Sequence, residues 1–377
     1  MSIWGIMAFH SLAVDRTVPL ADRPREGHNR WHPCIEPMCR VCSGDTVEIE
    51  TRDSFDCQIC ATTTSKDLES AKLERAHPLT GPVYVEGAEE GDLLAVHVKD
   101  VQPHDEGFTV IMPGFGYLRD LFTEPHIVHW EMEKGFAYSP QLPNIRIPGA
   151  PFMGVMGVAP SQKLLADIIK REQELIDRGG FAMPPNSDGA VPSGERFANA
   201  IRTIAPHETG GNLDIKQLVA GTTLYIPVYE KGALFSVGDA HFAQGDGESC
   251  GTAIETSAVF TAKFEILKGE ARRRGLRDVS FGSEYGTLAT TEMKGPYYAT
   301  TGTCITRDGK NLSEDISLAT RNALLNMLEY LCDKHGYSTE QAYSIISVAA
   351  NLRISQIVDV PNVTVSAFLP LDIFMNR

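Results

Sequence analysis

The sequence predicts a mainly β protein with α additions, an α+β chain whose body is a β-sandwich or barrel. Three observations predict it. Turn-then-strand units recur: Ser43-Gly44-Asp45 launches an alternation of Val47 and Ile49 with Glu48 and Glu50, and Glu90-Gly91-Asp92 launches a second alternating run over 93–98. Pro and Gly separate such units, which indicates a sandwich or barrel rather than a doubly wound sheet. Helical periodicity is confined to one central segment and a pair near the C-terminus.

At 377 residues the chain exceeds one packing unit. Residues 1–160 read as a β-rich part with an extended arm. Residues 161–210 read as a surface helix with a long loop inserted after it. Residues 211–377 read as the β part that carries the candidate catalytic residues and closes with the helical pair, giving the C-terminal portion an α/β character.

Through Pro37 the chain has charge, His and Pro without periodicity, as expected of an arm laid over another surface. Residues 3–14 are fairly apolar, but no Lys or Arg precedes them, His10 and Ser11 interrupt them and Asp15 follows, so they lack a signal-peptide n-region. Between 108 and 160, Pro, Gly and aromatics crowd the chain, including Met112-Pro113-Gly114-Phe115-Gly116-Tyr117. Such a segment suits pocket walls or a series of ordinary β-turns. Leu164, Leu165, Ile168, Ile169, Leu175 and Ile176 predict a surface helix over 162–178, stopped by Gly179-Gly180. Residues 181–209 carry no strong pattern and read as a long loop, functional or mobile. Ala319, Ala323, Leu324, Met327, Leu328 and Leu331 predict a second helix, with Glu314 and Asp315 in its first turn and His335-Gly336 at its end. Ser338 and Gln341 form a capping box for a third, reaching about Ala350, and 354–371 returns to strand composition.

Composition excludes several classes of partner. The chain has 49 acidic and 34 basic residues, a formal charge of −15, which repels nucleic acid and anionic lipid. No run approaches the ~20 apolar residues of a bilayer span. A cytoplasmic protein with neither nucleic acid nor membrane as partner is expected.

Among eight cysteines, Cys39, Cys42, Cys57 and Cys60 make two C-x-x-C pairs at a spacing close to that of a zinc ribbon. Their surroundings read as strand ends, where residues three apart point to opposite faces. Reduced cysteines packed in a β-rich core are therefore expected.

The densest polar run covers 210–255. Asp239 and His241 are two apart, so in an extended segment they share a face and can hold the same ion or substrate. Gly245-Asp246-Gly247 is a tight turn that delivers Glu248, on a returning strand, close to them. So many carboxylates beside one His coexist only if a cation, Lys or Arg partners, or protonation relieves them. His with carboxylates suits zinc, manganese or iron, and water activated by the metal beside Glu248 is then a hydrolytic nucleophile. A metal-free alternative uses Cys250, on the strand parity of Glu248, as a thiolate activated by a carboxylate and Lys216 or Lys263. Its competitor is a small buried core residue.

Asn212-Leu213-Asp214, the apolar Leu224-Tyr225-Ile226-Pro227-Val228 strand, the Gly238-Asp239-Ala240-His241 to Gly245-Asp246-Gly247-Glu248 string and Cys250-Gly251-Thr252-Ala253-Ile254-Glu255 closely resemble the acetamidase/formamidase family. So do His28-Asn29-Arg30-Trp31-His32-Pro33, the Met112 segment, Met156-Gly157-Val158-Ala159-Pro160 and the stretch from Leu352 to Asp359, in the family's order. The chain departs from the pattern at Cys34, where Asp is usual, and in both C-x-x-C pairs.

The resemblance implies hydrolysis of formamide or acetamide to ammonia and a carboxylate, a β-sandwich and barrel body with α/β additions, and a homodimer or higher homo-oligomer. An amide demands a strong nucleophile, oxyanion stabilisation and an acid for the nitrogen. A divalent metal, zinc by preference, held by Asp239 and His241 with Asp214 or Glu255 completing the set, fits the first two needs; Glu248 fits the proton transfers. His28 and His32 are further candidates as ligands or substrate-binding groups. Trp31, Phe115, Tyr117 and Met153 or Met156 are candidate pocket walls, and Cys250 a candidate substrate contact. Hydrolysis of a cyclic amide such as a γ-lactam, and non-catalytic binding of a small amide, are the competing functions.

Overall fold

The computed structural model describes residues 7–284 and 292–375, so residues 3–6 of the apolar opening stretch lie outside it. Two large sheets form the body. The first runs, in spatial order, Phe9–Leu12, Thr46–Thr51, Ala258–Leu267, Leu93–Pro103, Thr223–Pro227 and Ser280–Gly282. The second runs Arg146–Pro148, Phe136–Tyr138, His126–Glu133, Glu106–Ile111, Glu255–Thr256, Phe235–His241, Phe152–Gly157 and Gly210–Asn212, with Leu79–Val85 joined to Phe235–His241 and Cys39–Val41 joined to Leu79–Val85.

The alternation read from the sequence explains how they stack. Val47 and Ile49 are fully buried while Glu48 and Glu50 between them are half-buried. With Val96, Leu224, Phe260 and Phe264 they meet Val83, Met153, Met156, Phe235 and Val237 of the second sheet in one apolar core. This is a β-sandwich interior. Met153 and Met156 belong to it, which corrects their reading as pocket walls.

The three expected helices fall where periodicity placed them, and a short one over Glu270–Arg274 was not expected. Gln162–Asp177 is capped by the Ser161 side chain, and Thr339–Ala349 carries the Ser338/Gln341 capping box. Ile316–His335 begins one residue after Asp315, which is its cap, accepting from the Leu318 amide, rather than part of its first turn. The last two helices pack with a three-stranded sheet of Tyr297–Thr303, Thr364–Pro370 and Asn351–Gln356. Their Leu324, Met327, Tyr343 and Ile346 share a second core with Val128, Trp130 and Ile147 of the second sheet and with Phe242, which follows the Phe235–His241 strand.

Three expectations are corrected. The arm is not laid on the surface at residues 28–32: Arg30–Trp31 pairs with Ile201–Arg202, and the buried Arg30 guanidinium donates to the carbonyls of Asn29, Glu74, Asn186 and Asp188. Residues 57–62 form turns rather than a strand end, because the Asp53 carboxylate accepts from the Phe55 and Cys57 amides and folds the chain there. Of the paired cysteines, Cys39 alone packs, half-buried, against the sandwich core; Cys57 is half-buried elsewhere, and Cys42 and Cys60 are exposed. Among the described residues no cysteine joins a group able to hold a metal, and no helix is long and apolar enough to cross a membrane.

Candidate active site

The site is built on Phe235–His241, buried along its whole length in the middle of the second sheet. His241 stands opposite Phe152 on one side and Glu255 on the other. Asp239 has φ +58°, a left-handed position that Asp tolerates better than most residues. Opposite them, Gly154 is required by space. A Cβ there would lie 2.4 Å from Asp239 Oδ2, 2.7 Å from Asp214 Oδ1 and 2.8 Å from His241 Cε1. The Gly154 carbonyl accepts from the amides of Leu213 and Asp214, which seats Asp214 against the same glycine.

Around the imidazole the acids converge. His241 Nε2 lies 3.3 Å from Glu255 Oε1, 3.4 Å from Asp239 Oδ1 and 3.9 Å from Glu248 Oε1. Asp214, Asp239 and His241 form one group, and His241, Glu248 and Glu255 another, whose ligand atoms lie within 4.8 Å of one another. Gln244 touches the cluster from behind, its Oε1 3.0 Å from His241 Nδ1 and its Nε2 donating to the Asp214 carbonyl at 2.8 Å. Glu248 sits in a turn, its amide donating to the Gly245 carbonyl and its carbonyl accepting from Gly251, which corrects its placement on a returning strand.

Electrostatics follow from crowding. Burial, then the Asp239 charge, pushes Asp214 up to about 7, and burial with Asp214 pushes Glu248 well above the carboxylate range. Burial alone would disfavour an imidazolium, yet Glu255 and Asp239 raise His241 well above its ordinary value. Burial would likewise raise Asp239, but His77 and His241 hold it low. Asp214 Oδ1, His241 Nε2 and Glu255 Oε2 are buried without a hydrogen-bond partner. Oxygen and imidazole donors left bare in one place fit a divalent cation such as zinc, manganese or iron.

Asp214, Asp239, Glu248 and Glu255 line a cavity of about 470 Å³. Its apolar wall includes Phe55, Val110, Met112, Phe115, Tyr117, Phe181, Met183 and Ile204. Phe115 and Tyr117 thus stand where the sequence reading put them, and the 181–209 loop contributes wall. His28, Trp31 and His32 do not line it, which corrects their reading as substrate-binding groups. The His28 ring bonds to the Arg30 carbonyl at 2.6 Å and to Ser236 Oγ at 2.7 Å, and burial pushes it down to about 4. Trp31 packs with Leu79, Val155, Leu165 and Ile201, and the His32 ring packs on Phe197 and accepts from the Cys34 amide.

Cys250 is in the wall but is not placed as a nucleophile. Its thiol is 3.6 Å from the carbonyls of Val110 and Thr252, and burial pushes it up, away from thiolate. Lys216 is bonded to Asn351 and lies 3.7 Å from Asp246, while Lys263 lies 3.9 Å from Glu265.

Two cluster residues escaped the sequence reading. His77 lines the cavity with its Nδ1 unpartnered, and a lone His in Arg75-Ala76-His77-Pro78 carries no pattern. Gln244 was legible in principle, since it falls between His241 and Glu248 in the motif string.

A buried carboxylate–imidazole cluster opening on an apolar cavity is an arrangement suited to acid–base hydrolytic chemistry, and defines an enzyme of that class. The chain belongs to the acetamidase/formamidase family, whose model matches residues 13–376. It is 37% identical over 368 residues to a formamidase of Methylophilus methylotrophus, covering 92% of this chain and 89% of that one. It is 34% identical over 369 residues to an acetamidase of Mycolicibacterium smegmatis, covering 89% of each. Among solved structures it is similar to a γ-lactamase from Delftia acidovorans, with a TM-score of 0.91 and 35% identity over 97% of this chain and 93% of the other.

Proposed function

We propose that the protein hydrolyses a short aliphatic amide, formamide or acetamide, to ammonia and the carboxylate, with Glu248 moving the protons and Asp214, Asp239, His241 and Glu255 as the residues that would hold a divalent cation. The observation that carries this reading is the convergence of those side chains with three buried donor atoms left bare. When bound, such a cation supplies Lewis-acid polarisation of the carbonyl and a water of lowered pKa.

The chain's own residues supply the rest. Glu248 lines the cavity, and as a carboxylate it takes a proton from the attacking water and returns that proton to the departing nitrogen. Asp239, kept low, stays charged beside His241. Phe115, Met112, Val110 and Phe181 exclude water from the reacting carbonyl and accept the acyl group.

A γ-lactam is a second reading, supported by the similarity to the Delftia γ-lactamase and by a cavity of about 470 Å³, within the range of drug-sized pockets. Assembly into a homo-oligomer is supported by exposed apolar side chains gathered near one another in sequence, Ile354, Ile357, Val358 and Val360; light scattering in solution tests it, and a monomer removes it.

The functional test is ammonia release from formamide, acetamide, propionamide and a γ-lactam, with and without chelator, for the wild type and Glu248→Gln. Turnover of the short amides, lost in Glu248→Gln by roughly 10²–10⁴-fold, is expected. Full activity in metal-free protein removes the cation, and full activity of Glu248→Gln removes the proton-transfer role.

A further inference from the structure

The contacts of Gln244 determine more than its own orientation. The Asp214 carbonyl can only accept, so the Gln244 atom 2.8 Å from it is the NH2 group. The atom left facing His241 Nδ1 at 3.0 Å is then the side-chain oxygen, which also can only accept. Nδ1 must therefore carry a hydrogen, whatever Nε2 carries. Because the Asp214 group is a backbone carbonyl, it accepts in either orientation of the Gln244 amide.

Gln244 has little freedom to turn over. Flipping it would set its oxygen against the Asp214 carbonyl and its NH2 against the Nδ1 hydrogen. The turn that carries it is held by the end of the C-terminal helix. Gly245 donates to the Ser347 carbonyl at 2.8 Å, and a Cβ at Gly245 would lie 2.1 Å from the Ala350 oxygen. Asp246 donates from its backbone to Asn351 Oδ1 at 3.1 Å. Gln244 itself is 6% exposed.

The consequence is at the other ring nitrogen. With Nδ1 committed, Nε2 is the atom that faces Glu255 and Asp239 and has no partner of its own. Carboxylate oxygens at 3.3 and 3.4 Å from Nε2 call for a positive species at that atom, either a proton on the ring or a cation that replaces it. We infer that Gln244 is a positioning residue: it fixes His241 with its hydrogen on Nδ1, so that Nε2 is the ring atom offered to a cation. This rests on the proposed reading of His241 as a ligand, and it deepens it, because a histidine ligand oriented through its second nitrogen binds its ion more tightly.

The experiment separates the two claims. Protein labelled with ¹⁵N in histidine is examined by NMR with and without Zn²⁺, the His241 signals being assigned by their loss in His241→Gln. A protected Nδ1–H of His241 is expected in the wild type and in Gln244→Glu, which keeps an acceptor, and its loss to solvent exchange or a mixture of tautomers is expected in Gln244→Leu. Zn²⁺ affinity by calorimetry should fall roughly 10–100-fold in Gln244→Leu and be better kept in Gln244→Glu. A proton on Nε2 with Nδ1 bare overturns the inference, as does Gln244→Leu with unchanged tautomer and affinity. Wild type that takes up no Zn²⁺ yet keeps the protected Nδ1–H removes the cation reading and leaves the tautomer assignment upheld.

Discussion

His241 and Glu255 face each other across an antiparallel strand pair, and Glu255 Oε1 lies 3.3 Å from His241 Nε2. The same oxygen accepts from the Ala253 amide at 2.9 Å, so a turn of the chain holds the carboxylate in place before any ligand arrives. The two stand fourteen positions apart in sequence, and the sheet register makes them neighbours. Replacing Glu255 with Ala is expected to cut amide turnover by at least ~10²-fold, on the scale of losing one electrostatic group from an active site. Ammonia release measures it, with circular dichroism as the check on folding.

Gly154→Ala tests the geometry without touching any charged group. The added methyl would stand 2.4 Å from Asp239 Oδ2 and 2.7 Å from Asp214 Oδ1, so both carboxylates must move. We expect turnover to fall by ~10²-fold or more, since a displacement of about 1 Å costs that much. A variant with wild-type kcat would show that Asp214 and Asp239 do not need their present positions.

Cys250→Ala should leave turnover within a few-fold of wild type and cost about 1 kcal/mol of stability for the lost packing. Denaturant melts and ammonia release measure the two effects. A folded Cys250→Ala protein without activity would restore the thiol as nucleophile.

Stability should depend on pH in a direction set by the cluster. Burial and Asp239 raise Asp214 to about 7, and Glu248 is raised likewise. The fold therefore holds the Asp214 proton between about pH 4 and 7 when the unfolded chain has released it, and stability falls as pH rises through that window, with Glu248 acting in the same direction. His241, also raised, contributes stability that is lost as pH rises through its folded value, whereas the depressed Asp239 loses its contribution only in acid. Chelator-treated protein is expected to melt lower at about pH 8 than at about pH 5, with Asp214→Asn flattening the trend. Zn²⁺ at 100 times its Kd should add about 2.7 kcal/mol, and the concentration needed should fall as pH rises and protons cease to compete for the ligands. Calorimetric scans across pH check both parts, and a melting temperature that rises with pH in chelator-treated protein contradicts the first.

Phe115→Ala removes an aromatic ring from the cavity wall. Relative kcat/KM for propionamide or a γ-lactam over formamide is expected to rise by roughly 10–200-fold, the range that a methylene-sized change in an apolar pocket controls. An unchanged ratio would place the acyl group elsewhere in the cavity.

Much of this was legible in the chain. The Asp-x-His spacing with Glu248 and Glu255 downstream named the acids and the imidazole that the fold brings together, because period-two strands and tight turns are local rules. The same local logic misread His28 and His32. Their motif looks chemical, yet the pairing of Arg30–Trp31 with Ile201–Arg202 buries it as packing. The C-x-x-C cysteines, expected to pack in the β-rich core, were misjudged by the same logic, since the turn at Asp53 and an edge strand leave Cys42 and Cys60 exposed.

By itself, then, the sequence determined the β-rich class, the three long helices with their caps, the family, and the acids and imidazole of the candidate cluster, all of which depend on residue type and short spacing. Tertiary structure decided which of those residues meet. It brought Gly154 and Gln244 to the cluster, set Phe115 in the cavity wall while sending Trp31 into the core, and held Cys250 as a buried thiol. The physical reason is range: strand register and sheet stacking join residues tens to hundreds of positions apart, and only that long-range burial shifts the acids' protonation and leaves their oxygens bare.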